Sequence, residues 1–115
     1  MVQRFLKKLV DNPKSYLDFY SPHFYEWEAK WFGFPFDTDQ VSFGLEGTRP
    51  AIIGEFPAAG MIGKTKGSKE MSGDDCYINT YKNGWNGIMT WRINPDGNLN
   101  SFIKGANEVA KLMSE

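Results

Sequence analysis

Pro50-Ala51-Ile52-Ile53-Gly54-Glu55-Phe56 (PAIIGEF, residues 50–56) is a short apolar run fenced by Pro50 and Pro57. It shows no alternation of polar and apolar residues, the pattern of a strand covered on both faces in a parallel sheet. The segments around it repeat one theme. Upstream, Tyr16–Tyr20 reads as a short strand ending in Ser21-Pro22-His23, and Tyr25–Phe32 as one or two helical turns closed by Gly33. Downstream, Gly87–Trp91 (GIMTW) reads as a further strand, followed by the loop Asn94-Pro95-Asp96-Gly97.

Helical patterns separate and flank these runs. Val2, Phe5, Leu6, Leu9 and Val10 share one helical face, and Asp11-Asn12-Pro13 stops that helix. Ser72-Gly73-Asp74-Asp75 starts another, with acids in its first turn, and Asn83-Gly84 ends it. Leu99, Phe102, Ile103, Ala106, Val109, Ala110 and Met113 keep helical spacing in the last segment. A polar loop is expected after Gly33, and the Gly- and Lys-containing stretch 58–73 is expected to be a long exposed loop. The order helix, strand, helix, strand, helix, strand, helix predicts an α/β fold with about three parallel strands and right-handed crossovers.

At 115 residues the chain suits a single domain, 1–115, with one real core. Apolar residues at 41% and charged residues at 23% are ordinary for a globular protein, but 16% aromatic is not. Ten of the twenty-one residues from Tyr16 to Phe36 are Phe, Tyr or Trp, more than a core of this size needs. The net charge of −1, without a run of either sign, leaves no electrostatic footprint for nucleic acid or an anionic membrane. Apolar stretches are too short to span a bilayer, and Lys7 and Lys8 interrupt any leader-like run. The lone Cys76 forms no internal disulfide and lacks the neighbours of a zinc site. Neither a cofactor motif nor a metal-ligand set is present. Asp74 and Asp75 read as helix N-terminal acids; Asp37 and Asp39 would need further oxygen ligands to hold calcium.

In parallel α/β folds the working residues gather at the C-terminal ends of strands. Here those ends carry Ser-Pro-His-Phe-Tyr, Gly-Glu-Phe-Pro and Thr-Trp-Arg-Ile-Asn. One carboxylate, a His/Tyr pair and a Trp converge on one face, which is a site pattern. Three motifs, DFYSPHFYEW (18–27), PAIIGEFP (50–57) and GWNGIMTW (84–91), resemble strands six to eight of the clan-A retaining glycoside hydrolases. Among these the family-five mannanase and cellulase group is the most similar. The resemblance spans nearly the whole chain and implies a C-terminal fragment of a (β/α)8 barrel. It implies Glu55 as catalytic nucleophile at the end of the seventh strand. It implies Tyr25, or alternatively His23, as the group that hydrogen-bonds that carboxylate. Trp91, at the end of the eighth strand, is implied as a sugar-stacking platform. Trp27 and Trp31, four apart on a short helix, are further substrate-binding candidates, at least one of which is expected to pack instead. Trp85 is expected in the core. Independently of the family, an indole offers the apolar face of a sugar a large flat partner, and a carboxylate beside the anomeric carbon can attack it.

The resemblance also fails at one point. A retaining glycosidase uses two carboxyl groups about 5–5.5 Å apart. In this superfamily the acid/base comes from an Asn-Glu pair at the fourth strand, whereas Asn107-Glu108 here lies in the final helical pattern. A full barrel takes about 250 residues. The chain therefore reads as glycoside hydrolase-like but incomplete, inactive alone on β-linked oligosaccharide or polysaccharide. A non-catalytic carbohydrate-binding protein and a folded relic that only self-assembles are the alternative readings. Three strands leave two sheet edges and an inner face uncovered, which predicts a homo-oligomer or a complementing chain. Members of the resembled group are often secreted, and nothing in these residues sets the compartment.

Overall fold

The computed structural model describes residues 17–25, 34–57, 61–64, 70–91 and 102–115. The expected helix at Val2–Val10, the turns at Tyr25–Phe32 beyond Tyr25, and the loop at 94–97 lie outside the described residues, as do Trp27 and Trp31. In chain order the elements are α1 (Gln40–Phe43), β1 (Ile52–Ile53), β2 (Met61–Lys64), β3 (Glu70–Ser72), α2 (Gly73–Lys82), β4 (Gly87–Ile88) and α3 (Ile103–Ser114).

PAIIGEFP is the middle of a small parallel array. β1 pairs in parallel with β4, Ile52 opposite Gly87 and Ile53 opposite Ile88. On its other side Tyr20 bridges Ala51 and His23 bridges Glu55, again in parallel. The ladder is well formed: Ile52 N donates to Tyr20 O at 2.9 Å, Gly54 N to Pro22 O at 2.9 Å and Met89 N to Ile53 O at 2.9 Å. The first segment therefore begins pairing at Tyr20, where the sequence reading had it end. Pro22 explains the irregularity: its carbonyl faces the middle strand and accepts from Gly54 N, but it has no N–H to return to that strand, so the ladder lacks one bond there.

One face of this array is covered. Ala51, Ile53 and Phe56 are fully buried, with Tyr20, Phe24, Phe34, Phe36, Met71, Cys76 and Trp85 around them. The aromatic excess has a use here. Phe24, Phe34 and Phe36 form an edge-to-face triangle with centroids 5.1–5.2 Å apart, and Phe36 continues it to Phe56 at 5.3 Å. Each such pair adds about 0.5–1.5 kcal/mol beyond the area it buries. The stretch after Gly33, expected as a polar loop, thus begins as a buried corner of the core. It then forms α1, capped by Asp39, whose Oδ1 accepts from the N–H groups of Val41 and Ser42 at 2.9 Å. Trp85 Nε1 donates to Thr38 O at 2.9 Å and Gln40 Nε2 to Gly84 O at 2.8 Å, strapping this corner to the turn before β4.

The stretch 58–73 is also not one long loop: β2 and β3 pair antiparallel within it. Met71 supplies the reason, since it buries its side chain in the core and its sulfur accepts from Asn79 Nδ2 at 3.6 Å. α2 follows directly. Ser72 caps it, accepting from Asp75 N at 3.1 Å while its hydroxyl donates to Asp75 Oδ2 at 2.9 Å. Gly84 at φ +78° takes the chain out of it. Cys76 on the inner side of α2 is fully buried, and that burial pushes its thiol far above the ordinary range, so it is inert.

α3 packs against α2, not against the sheet, at a point of backbone contact. Gly105 N donates to Asp74 Oδ1 at 2.6 Å, giving one of the orphan N–H groups in α3's first turn a partner from α2. Tyr77 stacks on Phe102 at 5.6 Å and 14°, fixing the entry to α3. No helix among the described residues is long and apolar enough to cross a membrane.

Candidate active site

The residues of the site owe their placement to one irregularity in the middle strand. Between the Tyr20–Ala51 and His23–Glu55 bridges the first segment advances three residues and the middle strand four. The opposite neighbour sees the same excess, advancing three from Ile88 to Trp91 while the middle strand advances four from Ile53 to Pro57. One extra residue therefore sits around Gly54–Glu55, a β-bulge. Its consequence is chemical. Under strict alternation Glu55 would share the helix-covered face with the fully buried Ala51 and Ile53. The bulge turns its carboxylate to the other face while Phe56 returns to the core.

That other face holds Ser21 and His23. A Cβ at Gly54 would run into Ser21 Oγ and lie 3.1 Å from the His23 ring, so glycine makes room for these two side chains as they stand. Glu55 closes the cluster. Tyr25 donates its hydroxyl to Glu55 Oε2 at 2.9 Å, and His23 Nδ1 lies 3.4 Å from the same oxygen. The Glu55 side chain is one quarter exposed and that of His23 nearly half, so the carboxylate is held yet reachable. Among the described residues both partners engage Oε2, which leaves Oε1 as the oxygen for a ligand. A carboxylate fixed in this way can act as nucleophile, general base or hydrogen-bond acceptor.

Trp91 pairs with Pro57, two residues beyond Glu55, and so lies at the same C-terminal end of the array, 53% exposed. Met89, two residues earlier on that strand, is 51% exposed. The Asn107-Glu108 pair lies on the exposed side of α3, with Glu108 3.8 Å from Lys111 Nζ, and has no part in this cluster. Asp74 and Asp75 serve the helix starts, and Asp39 serves α1. The described residues contain no group of three His, Cys, Asp or Glu that could hold a metal ion. The sequence reading missed the bulge and the contact of Ser21 and His23 with Gly54. Its available signal was a glycine inside an otherwise apolar strand, a frequent mark of a bulge or a close backbone approach.

Over 82 residues, 70% of its length, the chain is 30% identical to a mannan endo-1,4-beta-mannosidase of Cryptopygus antarcticus. The relationship, a distant one, is to a glycoside hydrolase. The aligned part is 19% of that mannanase, so the chain spans about a fifth of the relative it matches. No family model matches the chain, and no solved structure matches it.

Proposed function

We infer that the chain is the nucleophile-bearing C-terminal part of a retaining (β/α)8 glycoside hydrolase that acts on a β-linked polysaccharide, with mannan the first candidate. The observation that carries this reading is Glu55 held at a bulge by Tyr25 and His23 at the C-terminal end of a parallel strand. In the reaction, Glu55 Oε1 bonds to the anomeric carbon as the bond to the leaving oxygen breaks with its electron pair. Water later displaces the carboxylate and restores it. The leaving oxygen needs a proton, and the Asn-Glu pair that could supply it sits on α3, away from the cluster. General acid catalysis is typically worth about 10²–10⁴-fold. The isolated chain is therefore expected to hydrolyse neither β-mannan nor β-glucan at a useful rate.

A substrate with a leaving group that needs no proton separates the parts of this reading. With dinitrophenyl β-mannoside, Glu55 should become mannosylated, visible as an added hexose in the intact mass and mapped to the Glu55 peptide. A chain that gains no hexose, or gains it equally as Glu55→Ala, would remove Glu55 from the nucleophile role. The exposed Trp91 favours one second reading, a carbohydrate-binding protein without turnover. That reading expects oligosaccharide binding lost in Trp91→Ala and indifferent to Glu55→Gln.

A further inference from the structure

Tyr77 is where α2 meets both strand ends of the candidate site. Its ring packs edge-to-face on Phe56, centroids 5.8 Å apart, and its hydroxyl hydrogen-bonds the Thr90 hydroxyl at 2.9 Å. Phe56 directly follows Glu55, and Thr90 directly precedes Trp91. Between these two contacts runs the main-chain bond from Trp91 N to Phe56 O, 2.7 Å long, which joins the strand ends. Phe102, at the entry to α3, stacks on the same ring at 5.6 Å and 14°. A ring held by two others has little freedom left, so its hydroxyl meets Thr90 from a fixed point. That hydroxyl contributes little to holding α2 itself. The helix is already fixed by the Ser72 cap, by fully buried Cys76 and by Asn83 Nδ2 donating to Phe36 O at 3.3 Å.

We propose that Tyr77 is a positioning residue that fixes the distance and angle between the Glu55 carboxylate and the Trp91 indole. The assignment rests on the roles proposed above for those two side chains. The bulge makes such a tie necessary. Met89 N donates to Ile53 O and Trp91 N to Phe56 O, so donors two residues apart reach acceptors three apart, and the even ladder is broken at Thr90. Tyr77 restores a set geometry at that break, its ring against the residue after Glu55 and its hydroxyl on the residue before Trp91. A sugar ring stacked on Trp91 then presents its anomeric carbon to Glu55 Oε1 at one spacing. Misplacement between such groups slows the reaction even where the sugar still binds.

The test uses the whole chain labelled with 5-fluorotryptophan, the Trp91 fluorine resonance being the one lost in Trp91→Phe. Tyr77→Phe keeps the aromatic contacts and removes only the hydroxyl; it should shift that resonance. Thr90→Val removes the partner and should shift it too, the double variant no further than either single one. Thr90→Ser, which keeps a hydroxyl, should leave it at the wild-type position. If Tyr77→Phe does not fold, the two Thr90 variants decide alone. With dinitrophenyl β-mannoside, Tyr77→Phe and Thr90→Val should each lower the saturating rate of Glu55 mannosylation about fivefold, the reach of one neutral hydrogen bond, and change the half-saturating concentration less than about twofold. An unshifted Trp91 resonance, or a shift that Thr90→Ser shares, overturns the proposal. So does a wild-type rate of mannosylation, or a loss confined to the half-saturating concentration. A shifted resonance in a chain whose Glu55 takes up no hexose would retire the nucleophile reading and leave the Tyr77 tie to Trp91 standing.

Discussion

Replacing Gly105 by alanine sets three effects against one another. An ideal Cβ at this position would overlap the carbonyl oxygen of Asp74 and lie 2.6 Å from its Cα and 2.8 Å from its carbonyl carbon. All three are backbone atoms in the first turn of α2, pinned by the Ser72 cap, so neither helix can yield locally. Overpacking of this kind costs about 1–3 kcal/mol. Separating the helices also weakens the 2.6 Å hydrogen bond from Gly105 N to the Asp74 carboxylate, a class worth about 1.5–3 kcal/mol. Alanine's better helix propensity returns at most about 1 kcal/mol. The balance is a loss of about 2–4 kcal/mol, a large share of a small domain's stability. In urea, with a slope of about 1–3 kcal/mol per molar, the midpoint should fall by about 1–2 M. Asp74→Ala, which removes the acceptor without adding the clash, should cost less than Gly105→Ala. A Gly105→Ala midpoint equal to or above wild type would show that α3 does not sit on α2 as described.

Four further outcomes follow from the cluster and the caps. Tyr25→Phe deletes the hydroxyl that donates to Glu55 Oε2 and should slow mannosylation of Glu55 about tenfold, the equivalent of about 1.4 kcal/mol; equal rates would make that contact incidental. Gly54→Ala should destabilise by about 1–3 kcal/mol in urea because its methyl meets Ser21 and His23, and adding Ser21→Gly should recover part of the loss. The Ser42 backbone N–H, its hydroxyl and the Val41 N–H lower the Asp39 carboxyl below its ordinary range. The cap thus stabilises fully above that ordinary value and is lost as pH falls through the lowered one. The stability gap between wild type and Asp39→Ala should therefore close on acidification, and a gap that widens would contradict the cap. Trp91→Ala, at an exposed position, should leave the urea midpoint within about 0.5 kcal/mol of wild type while weakening mannan-oligosaccharide binding.

Some of this was legible because the signals are local. Ser72 and Gly84 bound α2 for reasons contained in a few residues, a hydroxyl that accepts an orphan N–H and a glycine that tolerates positive φ. The apolar run PAIIGEF announced a strand for an equally local reason, although the structure covers the face of Ala51, Ile53 and Phe56 and leaves the face of Glu55 open, not both covered as expected. The errors share a different cause, contacts made across the chain. Phe34 and Phe36 looked like part of a polar connection because their partners, Phe24 and Phe56, lie far away in sequence. The β2–β3 hairpin was hidden among Gly and Lys because Met71, its anchor, finds its place only against α2 and the sheet. Pro22 shifted the first strand toward Tyr20–His23, since only pairing with the middle strand decides which residues are extended.

The bulge joins what could and could not be read. Glu55, Tyr25 and His23 were nameable from the motifs, but periodicity alone puts Glu55 on the same side of the strand as Ile53, in the core. A carboxylate there would lose its hydration without enough partners, at a cost of several kcal/mol. The extra residue at Gly54–Glu55 avoids that cost by handing the carboxylate to the open face, where Tyr25 and His23 meet it. The same face also exposes Met89 and Trp91. Apolar burial is worth about 25 cal/mol per Å², so leaving such side chains in water stabilises nothing in the chain by itself. An arrangement that uses a bulge and a glycine to present one carboxylate beside exposed Met89 and Trp91 makes physical sense when something further covers that face.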